Sequence, residues 1–140
     1  MSNFDIEKKL CAACKADEFE TVKEILAKAK AEGYKIDLNV SYIYGSKGAA
    51  GTPLILTGCE YIGKLLIDNG AKVNYKDEER GFTALDSINE TIEKTELALN
   101  NVKTNNGLKE KEEKKAFLVK YNKFKDFLIK NGAKTFDELE

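Results

Sequence analysis

Histidine and tryptophan are absent from the 140 residues, proline and methionine occur once each (Pro53, Met1), and Arg80 is the sole arginine. Without histidine there is no Ser-His-Asp or Cys-His nucleophile, no imidazole metal ligand and no imidazole switch near neutral pH. Cysteine is scarce: Cys11, Cys14 and Cys59 cannot all pair and are too few for a disulfide framework, so a reducing compartment is expected. Long apolar runs are missing as well. The longest uncharged stretch, 48–59, is short and rich in Gly and Thr, and Ser2–Lys9 has no apolar signal core; a cytoplasmic protein without a membrane span is expected. Neither charge sign is in excess, with 23 basic against 24 acidic residues and a net charge of -1. The balance is local too: seven Lys and eight acids over 1–45, five basic and six acidic residues over 46–88, eleven Lys and ten acids over 89–140. That evenness argues against nucleic acid or an anionic membrane as partner.

What is present, 42% hydrophobic and 34% charged residues, suits one folded domain spanning 1–140. The chain repeats itself. Leu66-Ile67-Asp68-Asn69-Gly70-Ala71-Lys72 returns as Leu128-Ile129-Lys130-Asn131-Gly132-Ala133-Lys134, identical at six of seven positions. A weaker copy, Gly33-Tyr34-Lys35-Ile36-Asp37, lines up with Gly70-Ala71-Lys72-Val73-Asn74. Upstream, Gly51-Thr52-Pro53-Leu54 and Gly81-Phe82-Thr83-Ala84-Leu85 each place a turn glycine and a Thr before a helical run. Thr52 and Thr83 suit helix N-caps, Pro53 the first helical position, and the two Asn-Gly pairs left-handed C-caps.

Apolar spacing predicts paired helices in three units, about 5–39, 51–76 and 81–139. Leu10, Ala13 and Cys14 line one helix; Phe19, Val22, Ile25 and Leu26 line the next, with Asp17 as its cap. Thr52–Leu56 and Tyr61–Asn69 form the second pair. In the third unit Leu85, Ile88, Ile92, Leu99 and Val102 keep one face and Phe117, Tyr121, Phe124 and Leu128 another, separated at Asn105-Asn106-Gly107. Between the first two units Ile36, Leu38, Val40, Tyr42 and Tyr44 alternate with Asp37, Asn39, Ser41 and Ile43, the period of a strand, before the turn-rich Gly45–Gly51.

These motifs resemble the ankyrin repeat. Gly51-Thr52-Pro53-Leu54, Ile62-Gly63-Lys64-Leu65-Leu66-Ile67 and Gly70-Ala71-Lys72-Val73-Asn74 follow the family's order of turn, helix and loop. Leu10–Cys14 and Glu20–Leu26 are similar to its two helices, and Gly132–Leu139 is similar to the end of a terminal repeat. Ile55 stands where the family has a histidine, the finger of unit one is long, and unit three carries about twenty extra residues. The resemblance implies an all-α ankyrin-repeat solenoid of helix-turn-helix units with extended finger loops and a long helical hairpin in the last unit. It also implies a non-catalytic module that binds another protein through fingers and inner helices. The family's variable contact positions fall on Lys15, Tyr42, Tyr44, Lys47, Tyr75, Glu78, Glu79, Arg80 and Phe82.

Chemistry-bearing alternatives are weaker. Cys11-Ala12-Ala13-Cys14 has the spacing of a redox or metal half-site, but Cys59 alone remains as a further Cys or His ligand, and small packed helix residues are expected there. Gly45–Thr52 lacks the Gly-Lys-Ser/Thr ending of a phosphate loop. Asp77-Glu78-Glu79 is expected to be a solvated turn, and the Lys/Glu run 109–115 a solvated helix face within the 89–120 insertion. With no Trp and one Arg, tyrosine is the expected anchor residue among Tyr34, Tyr42, Tyr44, Tyr61 and Tyr75, with Tyr61 assigned to core packing. No cofactor, metal or catalytic group is expected, and the chain is expected to be a monomer. A narrower alternative is an inhibitor or immunity protein that occludes a toxin or enzyme; others are a small-ligand or enzymatic domain, and self-association through finger strands.

Overall fold

The fold is taken from a computed structural model, which describes residues 3–39, 42–44, 49–76, 81–101 and 107–139. Among them run α1 (Asn3–Lys15), α2 (Phe19–Ala31), β1 (Tyr42–Tyr44), β2 (Ala49–Gly51), α3 (Pro53–Leu56), α4 (Glu60–Asp68), α5 (Ala84–Asn100), α6 (Leu108–Lys130) and α7 (Phe136–Leu139). The fold is all-α apart from a short antiparallel ribbon, in which Tyr42 pairs with Gly51, Ile43 with Ala50 and Tyr44 with Ala49. The strand is shorter than the alternation from Ile36 to Tyr44 suggests. Leu38 is drawn into the core instead, and 40–41 lie outside the described residues.

The helices sort into two rows. Helices α1, α3 and α5 touch in that order, α2, α4 and α6 touch in that order, and each odd helix also packs on the even helix that follows it. Leu10, Cys14, Val22, Ile62, Leu66, Phe124 and Leu128 are fully or almost fully buried between the rows, in one continuous core. Contact at the joint between α4 and α6 is close because Gly63 has no side chain: a Cβ there would lie 2.9 Å from the Phe124 ring and 3.0 Å from that of Phe127.

Helix ends follow the sequence signals. Thr52 accepts the Ile55 N–H as N-cap of α3 with Pro53 behind it, and Thr83 forms a reciprocal capping box with Asp86 at α5. Gly70 and Gly132 take φ of +104° and +87°, the left-handed region that glycine enters without penalty. In each case the following alanine N–H returns to a carbonyl in the last turn, Ala71 to Leu66 and Ala133 to Leu128, which closes the helix by the Schellman pattern.

Two local expectations are corrected. Asp17 does not cap α2; Glu18 occupies that position without a side-chain bond. Asp17 instead ends α1 with φ of 55°, the one non-glycine residue at positive φ among those described. Its carboxylate has stronger partners than a helix N-terminus: the Thr57 hydroxyl donates to Oδ1 at 2.7 Å, the Gly58 N–H at 3.0 Å, and the Lys120 ammonium donates to Oδ2 at 2.5 Å.

The weak third repeat copy is also out of register by two residues. Asn39, not Asp37, is the counterpart of Asn74. Asn39 donates to the Gly70 carbonyl at 3.1 Å and accepts the Lys72 N–H at 2.7 Å, while Asn74 donates to the Gly132 carbonyl at 3.1 Å and accepts the Lys134 N–H at 2.7 Å. The first clasp joins the loop after α2 to the loop after α4, and the second joins the loop after α4 to the loop after α6, through the same pair of side-chain atoms.

Candidate functional site

The residues expected to bind a partner fall into three places. Tyr42 and Tyr44 lie on β1, opposite Gly51 and Ala49, and β1 packs against α1. Lys47, Glu78, Glu79 and Arg80 lie outside the described residues. Tyr75 and Phe82, both half-buried, lie on either side of residues 77–80. The described residues next to 77–80 are tied to the C-terminal end. The Lys76 ammonium sits 4.7 Å from the Phe136 ring centroid, a Cβ on Gly81 would meet that ring at 3.2 Å, and the Phe136 N–H donates to Asp86 Oδ2 at 2.8 Å. The Thr83 hydroxyl adds a 2.7 Å bond to the Lys134 carbonyl. Lys76 and Gly81, the described residues on either side of 77–80, both meet the Phe136 ring.

Lys15 belongs to a different environment. Exposed at the end of α1, it borders an open cleft of about 440 Å³ whose other walls are α5 and α6. Helix α5 presents Ser87, Glu90, Thr91, Lys94, Thr95 and Ala98; α6 presents Lys114 and Phe117. The three hydroxyls are spent on backbone: Ser87 donates to the Ile55 carbonyl at 3.1 Å, Thr91 to Ser87 at 3.0 Å and Thr95 to Thr91 at 2.7 Å. The methyl groups of Thr91 and Thr95 and the oxygen lone pairs of all three are what remain for the cleft. The Ser87 bond also joins α5 to α3 beside Ile55, which is buried as an apolar residue of α3.

Phe117 departs from its expected place on the core face of α6. It is 46% exposed, stacked on Tyr121 with ring centroids 6.0 Å apart and flanked by the Lys120 ammonium at 5.6 Å. Phe124 and Leu128, from the same expected stripe, are core. Lys120, three residues on from Phe117, is held by the Asp17 carboxylate. Tyr61 is likewise corrected from core to surface: it is 66% exposed and meets Phe19 edge-on at 6.4 Å. The apolar stripe of α4 is satisfied by Ile62 and Leu66, which leaves the preceding Tyr on the outside.

Cys11 and Cys14 are buried in α1. Burial, reinforced by Glu7, pushes the Cys11 thiol up to about 12, and burial raises Cys14 further still with help from Cys11 and Asp17. Both are held as thiols, whereas a nucleophile or metal ligand needs the thiolate. Tyr34 donates its hydroxyl to Glu7 at 2.6 Å, and that bond pushes its phenol up to about 12. It is thus tied to the first helix. Among the described residues no cluster of three or more Cys, Asp or Glu is arranged to hold a metal ion, and no helix is long and apolar enough to cross a membrane.

Sequence reasoning missed the cleft because its walls come from three helices, and α2, the ribbon, α3 and α4 lie between the first of them and the other two. The signal was faint but present: Ser87, Thr91, Lys94 and Ala98 recur at helical spacing on a side of α5 about 120° round from that of Leu85, Ile88 and Ile92. No protein-family model matches this chain, and no curated protein matches it.

Proposed function

We propose that this chain is an ankyrin-repeat-type solenoid of three units, the last lengthened into a helical hairpin, and that it acts without catalysis by binding another protein. The observation that carries the reading is the repeated Asn clasp. Asn39 and Asn74 engage the next unit's loop through identical atoms at identical distances, as expected of translated copies of one unit. The two rows of helices and the ribbon between the first two units support it. Tyr42, Tyr44, Lys47, Tyr75, Glu78, Glu79, Arg80 and Phe82 are the finger contacts, and Lys15 is a second point of contact on the first helix. Buried, protonated thiols suit a reducing cytoplasm.

A photo-crosslinking amino acid placed at Tyr42 or Tyr75 should capture a protein from the native cytoplasm in stoichiometric yield. The same group at Glu112, on the solvated side of α6, should not. Equal yields from all three positions, or none from the fingers, would refute the finger site.

A further inference from the structure

Resting on the protein-binding reading above, we propose that the cleft between α1, α5 and α6 takes an acidic peptide segment of the partner protein, with an apolar side chain of that segment seated against Phe117. Charge is the first reason. In a chain of net charge -1, three lysines and one glutamate border this cleft. Each lysine comes from a different helix, so the excess is made by the fold.

Two of these ammonium groups, those of the exposed Lys15 and Lys94, are available. Lys15 makes no ion pair among the described residues. Lys94 pairs with Glu90 at 2.7 Å, an exposed one-turn pair of the kind that exchanges readily for a better partner, whereas Lys114, its side chain 23% exposed, pairs with Glu110 at 3.2 Å and adds its charge to the cleft from a more sheltered place. Lysine is also a compact charge without the fork geometry that grips one phosphate in two places, so separated cations match carboxylates spaced along a chain.

Apolar character is the second reason. Phe117 is exposed yet stacked on Tyr121, with the Lys120 ammonium beside both rings, so its ring is already partly ordered before binding. Ala98 and the threonine methyls complete an uncharged floor. From Ser87 to Ala98 the wall rises about 16 Å at 1.5 Å per residue, the length of roughly five extended residues.

The test uses the full chain. A random dodecapeptide library selected on the immobilised protein should enrich sequences with two or more acidic residues around an apolar one. By fluorescence anisotropy those peptides should bind the Lys15→Glu/Lys94→Glu variant and the Phe117→Ala variant at least about tenfold more weakly. Exchanging Asp and Glu for Lys in the peptide should restore binding to the charge-reversed variant. All altered positions are exposed, and thermal melts within a few degrees of the parent verify the fold. Absence of acidic enrichment, or equal binding to parent and variants, overturns the proposal. So does a concentration-dependent dimer in sedimentation that Lys15→Glu/Lys94→Glu abolishes, since a second copy would then fill the cleft. Finger cross-linking reports separately on the protein-binding reading: peptides that bind while cross-links fail would sink the finger site and leave the cleft.

Discussion

Asp17 holds a backbone conformation that costs a non-glycine residue about 1–2 kcal/mol, and it is kept there by three hydrogen bonds from two other units. Its role was illegible in sequence because an Asp just before a helical run has the appearance of an N-cap; only the positions of Thr57 and Lys120 decide otherwise. Other single residues set the pH response. Cys11 in the unfolded chain loses its proton near its ordinary 9.0, but in the fold not until about 12. Between these values the native state holds a proton that the unfolded state has released, so stability is full below pH 9 and falls as pH rises. Tyr34 acts with the same sign between 10.0 and about 12. The urea midpoint should therefore drop from about pH 8 to about pH 11, with a shallower drop in Cys11→Ala and in Tyr34→Phe. An unchanged slope in Cys11→Ala would mean that the thiol is not the titrating group.

At the scale of elements, what the sequence specified was local. Thr52, Thr83, Pro53 and the Asn-Gly pairs mark helix ends because capping depends on neighbours within a turn, and all of them act as expected. Burial of Leu10, Val22, Ile88 and Phe124 follows from periodicity. Register failed where an insertion shifted the pattern, as at Asn39, and at stripe edges, where Tyr61 and Phe117 are apolar by type but lie beyond the buried face. The candidate site was legible only in part: Lys15 was marked, but its neighbours on α5 and α6 were not, since long-range juxtaposition has no local signature.

Gly63 illustrates how packing overrides propensity. Alanine in the middle of α4 should gain up to about 1 kcal/mol of helix propensity. Its methyl group would instead press on the buried Phe124 ring, so Gly63→Ala should destabilise by about 1–3 kcal/mol in urea unfolding. A stabilised variant would show that the joint between α4 and α6 is looser than described.

Across the whole molecule, a stack in which each unit touches only its neighbours is expected to open from its ends. Here Lys120, on the last long helix, reaches Asp17 at the end of the first, across 103 residues of sequence. Removing the carboxylate in Asp17→Ala should cost about 2 kcal/mol, with a smaller loss in Asp17→Asn, which still accepts from Thr57 and Gly58. Amide exchange should then show α1 and α2 opening ahead of α5 and α6 in the alanine variant, while the parent opens all four together; identical exchange patterns would assign the bond no long-range role. The tie also bears on how this molecule can evolve. Solenoids ordinarily lengthen by duplicating a middle unit, but one more unit between Tyr75 and Gly81 would move Lys120 away from Asp17 by about 8–10 Å, the spacing of packed helices. On the three-unit reading proposed above, the bond would act as a ruler: it would hold the number of units at three, and a lineage that kept it would diversify by lengthening loops and helices.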